Sequence, residues 1–219
     1  MNSLDSRSLR IGDCYAQKFD IEGEVRYALS HSYLTRALDK DDFLITVNKR
    51  AQKGEPAQHT VHVTSKNGEL TPDLNPLEIA SGDIVLWYTT HPSVLGFAVT
   101  GVGPKFAFGS GALRAEGVYT HAFGVPGTFD WVNPLDPKIY GSVDVKAVDA
   151  RDAKQLKAWY ALLEKPAAFE IKDGKVSPKR VDIVVGQTVF WKVWNGDGVA
   201  ITDKRLAEAG GTVYTSARR

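Results

Sequence analysis

The sequence predicts an all-β protein of two sandwich-like modules, and three observations carry that prediction. Short runs of β-branched and aromatic residues recur at close spacing over residues 55–148. Gly and Pro punctuate them as turns do. The one stretch with apolar residues at helical spacing, Asp149 to Glu164, separates that region from a second set of β-rich runs.

Taken in order, Thr60 to Thr64 alternates Thr, Val, His, Val, Thr and runs into the turn Lys66-Asn67-Gly68, the pattern of a half-buried strand. Leu77-Glu78-Ile79 leads into the turn Ser81-Gly82-Asp83, and Ile84 to Tyr88 is a strand ending on a large aromatic pair. Phe97 to Thr100, Gly117 to Ala122, Thr128 to Val132 and Ser142 to Val145 add four short strands. Together they make an antiparallel sandwich or barrel. In the helix, Ala153, Leu156, Trp159, Leu162 and Leu163 share one face before Pro166 stops it, and residues 149–166 read as a connector between modules. Ala168 to Ile171, Val181 to Val185 and Thr188 to Val193 resume the strand pattern, but only about fifty residues remain for a second module.

Composition narrows the function. Of 219 residues, 43% are hydrophobic and 24% charged, which excludes a disordered chain. Lys+Arg 27 against Asp+Glu 26 leaves a net charge of +1, so no global electrostatic term draws the chain to nucleic acid or to an anionic membrane. Cys14 is the only cysteine, which excludes an intramolecular disulfide, CxxC redox chemistry, zinc ribbons and iron–sulfur clusters built from this chain. No apolar run is long enough to span a bilayer. The opening Met-Asn-Ser-Leu-Asp-Ser-Arg lacks the apolar segment of a signal peptide, which points to the cytoplasm, with a periplasmic mature chain as the alternative.

Gly82-Asp83-Ile84-Val85-Leu86-Trp87, then Phe123-Gly124-Val125-Pro126-Gly127-Thr128-Phe129-Asp130-Trp131, then Gly141-Ser142-Val143-Asp144-Val145 resemble the cupredoxin family. There they correspond to a turn and strand, the strand pair approaching the metal loop, and the closing strand. Phe169-Glu170-Ile171 and Val181 to Trp191 resemble the first half of the same fold, and its missing second half resembles Phe19 to Tyr27 followed by Phe43 to Val47. The resemblance therefore implies two cupredoxin-like Greek-key modules: a complete one over 55–148 and a split one formed by 10–50 plus 165–219, permuted within the chain or swapped between chains.

A type 1 copper centre needs two His and a Cys thiolate with a weak axial Met. Carried onto this sequence, the family pattern puts Asn133 at the Cys position, Asp136 at the C-terminal His and Ile139 at the Met, with the upstream His near Gly96 or Phe97. In the split module the corresponding positions are Leu29, Ser32 and Val199 or Ala200. The resemblance thus implies the scaffold without its type 1 centre.

Other ligands are available. His91 lies in the loop after Trp87, on the side of the metal mouth, and Asn133 and Asp136 come from the facing loop. A His, carboxylate and amide can hold a divalent ion or move a proton. His121, on a strand face with Tyr119 and Phe123, and His31, after Tyr27, are candidates for a site between modules. His59 and His62, three apart on one strand, face opposite sides and are not a chelating pair. Gly101-Val102-Gly103 and Gly109-Ser110-Gly111 neither lead a strand into a helix nor carry the spacing of a nucleophile elbow. No residue is assigned a catalytic role. The expected function is a binding or accessory subunit, as a homo-oligomer or with a partner protein, and without nucleic acid or membrane. The alternative is copper or another divalent metal at a non-type-1 site.

Overall fold

The computed structural model describes residues 3–31, 43–50, 54–196 and 198–209. Its elements are β1 (Asp13–Phe19), β2 (Gly23–Ser30), β3 (Phe43–Asn48), β4 (Gln58–Lys66), β5 (Glu69–Pro72), β6 (Leu77–Ala80), β7 (Asp83–Tyr88), β8 (Ala98–Val102) and β9 (Ala107–Gly109). There follow β10 (Gly117–Ala122), β11 (Gly127–Asn133), β12 (Asp136–Lys146), α1 (Ala153–Leu163), β13 (Ala167–Lys172), β14 (Lys175–Ser177), β15 (Arg180–Val184), β16 (Thr188–Val193), β17 (Thr202–Asp203) and α2 (Lys204–Ala209). The all-β expectation holds.

The strands build one long sheet and two short ones. The long sheet has eight strands in the order β14-β13-β16-β10-β1-β7-β4-β5. One short sheet is β6-β3-β2-β8-β9 and the other β15-β12-β11-β17. The order is a palindrome of pairings. β1 pairs antiparallel with β7 as β10 does with β16; β4 runs parallel to β7 as β13 does to β16; β3 runs parallel to β6 as β12 does to β15. The chain is therefore an internal duplication, with β1–β9 as one repeat and β10–β17 as the other. The repeats meet where β1 and β10 pair, with Tyr15 directly opposite Tyr119.

A constant offset of 104 residues relates equivalent positions across much of the two repeats. It links Tyr15 to Tyr119, Phe19 to Phe123, Gly23 to Gly127, Ile79 to Ile183, Gly82 to Gly186 and Trp87 to Trp191. The equivalences are spatial as well: Tyr15 stands opposite Trp87 as Tyr119 stands opposite Trp191. Gly82 and Gly186 turn into their strands at φ of 91° and 90°, a left-handed conformation that only glycine adopts freely.

This division corrects the expected domain boundaries. Among the described residues, 10–50 do not complete a module with 165–219. β2 pairs with β3 and β8, and β3 with β6, all inside the first repeat. Nor is 55–148 one module, because β12 closes on β15 rather than on β6. Each hairpin pairs with the strands that follow it in the chain, not with those that precede it. Residues 149–166 accordingly link β12 to β13 inside the second repeat and do not join two modules. α1 starts on the Asp152 side chain, which accepts from the backbone N–H of Lys154 (2.8 Å) and Gln155 (3.2 Å). It lies on the surface with no residue buried, tethered by Trp159 Nε1 donating to the Val185 carbonyl at 2.6 Å.

Both short sheets pack on the same face of the long one. Along the strands of the long sheet odd-numbered residues point inward: Tyr15, Phe19, Val61, Val63, Val85 and Trp87 in one repeat, Tyr119, Phe123, Phe169, Ile171, Val189 and Trp191 in the other, all buried. In the first repeat Trp87 stacks on Tyr15 and meets Tyr27 edge-on; in the second Trp191 stacks on Phe169 and meets Trp131 edge-on. Truncating either core tryptophan to Ala removes one of the largest side chains of its repeat, worth about 3–5 kcal/mol.

Candidate functional site at the seam of the repeats

The candidate residues do not assemble into one constellation. His91 Nδ1 contacts Ser93 Oγ at 2.6 Å, inside its own loop after β7. Asp136 Oδ1 accepts from the Lys138 N–H at 3.1 Å, again within its own turn. Asn133 is buried, and its Oδ1 accepts from Leu135 N (3.2 Å) and Ala200 N (3.1 Å), stitching β11 to the segment before β17. His31 is exposed, with Nε2 2.8 Å from the Gly68 carbonyl.

The expected facing of His91 with Asn133 and Asp136 is not seen among the described contacts, in which each residue pairs within its own repeat. The β11–β12 turn faces Ala200 of its own repeat, whereas His91 sits on the first repeat. The residues at the type 1 positions do not fit copper: Asn133 uses its oxygen on two backbone donors, Ile139 is 5% exposed and apolar, and Phe97 is fully buried in the core. Ser32 lies outside the described residues. Among the described residues no group of three or more His, Cys, Asp and Glu is placed to hold a metal ion.

His121 is different. The antiparallel register sets it directly opposite Asp13, with both side chains on the inner face of the long sheet. Asp13 Oδ1 lies 2.6 Å from His121 Nδ1 and accepts from Tyr119 Oη at 2.7 Å, while Oδ2 accepts from the Arg10 N–H at 2.8 Å. The side chains are 2% (Asp13) and 8% (His121) exposed. Phe123 meets the imidazole edge-on, centroids 4.7 Å apart. Burial pushes the Tyr119 phenol well above its ordinary range, and the adjacent Asp13 charge adds to the effect. His121 Nε2 is buried with no partner among the described residues. The site is a carboxylate-oriented imidazole, the arrangement that fixes a histidine tautomer in catalytic and metal centres, yet its second nitrogen meets no further polar group.

Sequence reasoning found His121 but missed Asp13 and Tyr119. Nothing in the local pattern marks Asp13, a single acid at the start of a strand. Its role depends on the register between β1 and β10, a contact across 108 residues.

A second buried carboxylate lies at the far side of the first repeat. Asp83 takes the guanidinium of Arg50, the backbone N–H of Ala57 (2.8 Å) and of Ala80 (2.9 Å), and His59 Nε2 at 3.0 Å. Burial alone would raise its pKa; the Ala80 N–H, His59, the Ala57 N–H and Arg50 together hold it well below the usual carboxylate range. His59 therefore has a structural ion-pairing place, while His62, on the opposite side of β4, accepts from Thr90 and packs on Tyr88. In the second repeat the equivalent of Asp83 is Gln187, whose amide donates to the Lys165 carbonyl at 2.7 Å.

A shallow groove of about 210 Å³ lies between β11 and α2, lined by Thr128, Asp130, Asp203, Lys204, Arg205 and Glu208. Four of its charged side chains pair internally, Arg205 with Asp203 and Lys204 with Glu208. No protein-family profile, curated protein or solved structure matches the chain.

Proposed function

We propose that the chain is a binding subunit, built from two circularly permuted copies of a cupredoxin-type sandwich that keep the scaffold without the type 1 copper ligands. The permutation is supported by the pairing: in each repeat the hairpin and closing strand come first in the chain, and the turn-and-strand segment ending at Trp87 or Trp191 comes after. The observation that carries the binding role is the long sheet itself. Pairing of β1 with β10 makes one continuous β surface out of two sandwiches, with both short sheets on one side and, among the described residues, no strand or helix on the other. α1 packs against β15, and α2 against β11 and β17, so the helices lie on the short sheets.

Absorption spectroscopy after addition of copper tests the metal-free part of this proposal. Cys14 points to the outer face of the long sheet, away from every position that the family pattern assigns to a ligand. The expected spectrum has no intense visible band, and a thiolate-to-copper charge-transfer band would overturn the assignment.

A further inference from the structure

We infer that the outer face of the long sheet is the contact between two copies of this chain, an inference that rests on the binding role proposed above and names its occupant. The even-numbered residues of the four central strands form this face. The pairings align them into rows: Phe190, Thr120, Cys14 and Tyr88 form one, and Lys192, Val118, Ala16 and Leu86 the next. Ala122, Ile84 and Lys18 extend the band. A sheet face that meets only water normally alternates to polar residues, and here Phe190, Tyr88, Leu86, Ile84 and Val118 lie on it beside Thr120, Cys14, Ala16 and the two lysines, with Ala16 and Thr120 buried among them. Phe190 is 36% exposed, and Cys14, Ile84, Leu86, Tyr88 and Val118 are half-buried.

Three features select a second copy as the partner. The first is charge. The band carries two lysines, and each is already paired in cis, Lys18 with Asp20 at 2.8 Å and Lys192 with Glu116 at 3.8 Å. A neutral band offers nothing specific to an acidic or basic partner and does not repel itself. The second is size. The six strands from β13 to β4, spaced about 4.8 Å apart and about five residues long, give a face of roughly 29 Å by 17 Å. Two such faces in contact bury on the order of 1,000 Å², the level at which a biological interface begins. The third is anatomy. The apolar centre is flanked by more polar strands: β4 presents Gln58, Thr60, His62 and Thr64, and β13 presents Glu170 and Lys172. That is the core and rim of a homodimer interface, and the near two-fold symmetry about β1 and β10 makes the face self-complementary, as an interface between two copies requires.

Light scattering coupled to size exclusion on the full chain at tens of micromolar tests the inference. The expected mass is twice that of one chain, with Leu86→Glu and Phe190→Glu each shifting it to the monomer while the far-ultraviolet circular dichroism stays unchanged. Cys14, the only thiol, supplies a second readout that needs no core change. Its reaction with a disulfide reagent should slow at least tenfold between nanomolar and tens of micromolar protein. A monomer at tens of micromolar, or a dimer retained in both variants, would overturn the inference. A monomer whose Cys14 reacts at one rate at all concentrations would refute the self-contact while leaving the binding role standing, since the face would then be free for another protein.

Discussion

The two ends of the seam occupy equivalent places and carry different chemistry. At one end Tyr15 Oη donates to Gln17 Oε1 at 2.9 Å, and the Gln17 amide donates to the carbonyls of Lys18 and Ala115, each at 3.1 Å. At the other, Tyr119 and His121 converge on Asp13. The 104-residue offset maps Gln17 onto His121 and Asp13 onto Gly117, so the neutral end has an amide where the other has an imidazole and a bare glycine where the other has a carboxylate. A Cβ at Gly117 would lie 3.0 Å from the Arg114 carbonyl oxygen and 3.4 Å from Gln17 Oε1, so the neutral end has little room for an acid. The two ends thus place polar residues at equivalent positions, and only one end carries a carboxylate and an imidazole.

The largest expected difference follows from removing the acceptor at each end. Asp13→Ala leaves the Tyr119 hydroxyl, His121 Nδ1 and the Arg10 N–H without their partner in a buried place, and should cost about 3–5 kcal/mol in denaturant unfolding. Gln17→Ala removes a neutral group and should cost about 1–3 kcal/mol. Equal losses would erase the distinction between the two ends.

A smaller contrast separates the turns into β2 and β11. Gly23 and Gly127 have φ of 127° and 144°, so Ala is strained at both. A Cβ on Gly23 would also meet Pro104 Cγ at 2.9 Å, whereas on Gly127 its nearest neighbour is Phe129 Cε2 at 3.7 Å. Gly127→Ala should cost about 1 kcal/mol from backbone strain alone. Gly23→Ala should cost roughly 2 kcal/mol or more once Pro104 must shift. Thermal melts of the two variants rank them.

The smallest effect is a slope. Asp83 is held below its unfolded pKa, so its contribution to stability is complete above the ordinary carboxylate pKa near 4 and is lost as pH falls from there toward its folded value. Gln187, at the equivalent place, does not titrate. Between pH 4.5 and 2 the stability of Asp83→Asn should therefore fall less steeply than that of the wild type, and parallel curves would show that the four hydrogen bonds on Asp83 do not favour its charge.

Much of the strand pattern was legible because it is local. Ile84 to Tyr88 and Thr188 to Val193 announce themselves by alternation, and β7 and β16 cover them. The partnership of the hairpins was not legible. Phe19 to Tyr27 and Phe123 to Trp131 are near copies of one motif, and either could close on Leu77 to Trp87 or on Val181 to Trp191 as far as side-chain pattern goes. Loop connection decides it, and the hairpin that precedes each turn-and-strand segment takes it. The offset of 104 was present in the sequence as the repeated Tyr, Phe and Gly of the two hairpins and the repeated Gly and Trp of the later strands, and it is the signal that would have marked the boundary near residue 110. The seam cluster was less accessible still, since Asp13 acquires its partners only through the register of β1 on β10.

Cross-linking tests most directly whether each repeat closes on itself. In a Cys14→Ser background, Thr46→Cys combined with Glu78→Cys joins residues that the structure pairs across β3 and β6, and Asp144→Cys with Asp182→Cys joins those paired across β12 and β15. Thr46→Cys combined with Asp182→Cys joins strands that would be neighbours only if residues 10–50 completed a module with 165–219. Under mild oxidation the first two combinations should form intramolecular disulfides in near-full yield and the third should remain reduced. A third pair that closes while the first two stay open would contradict the two-repeat architecture.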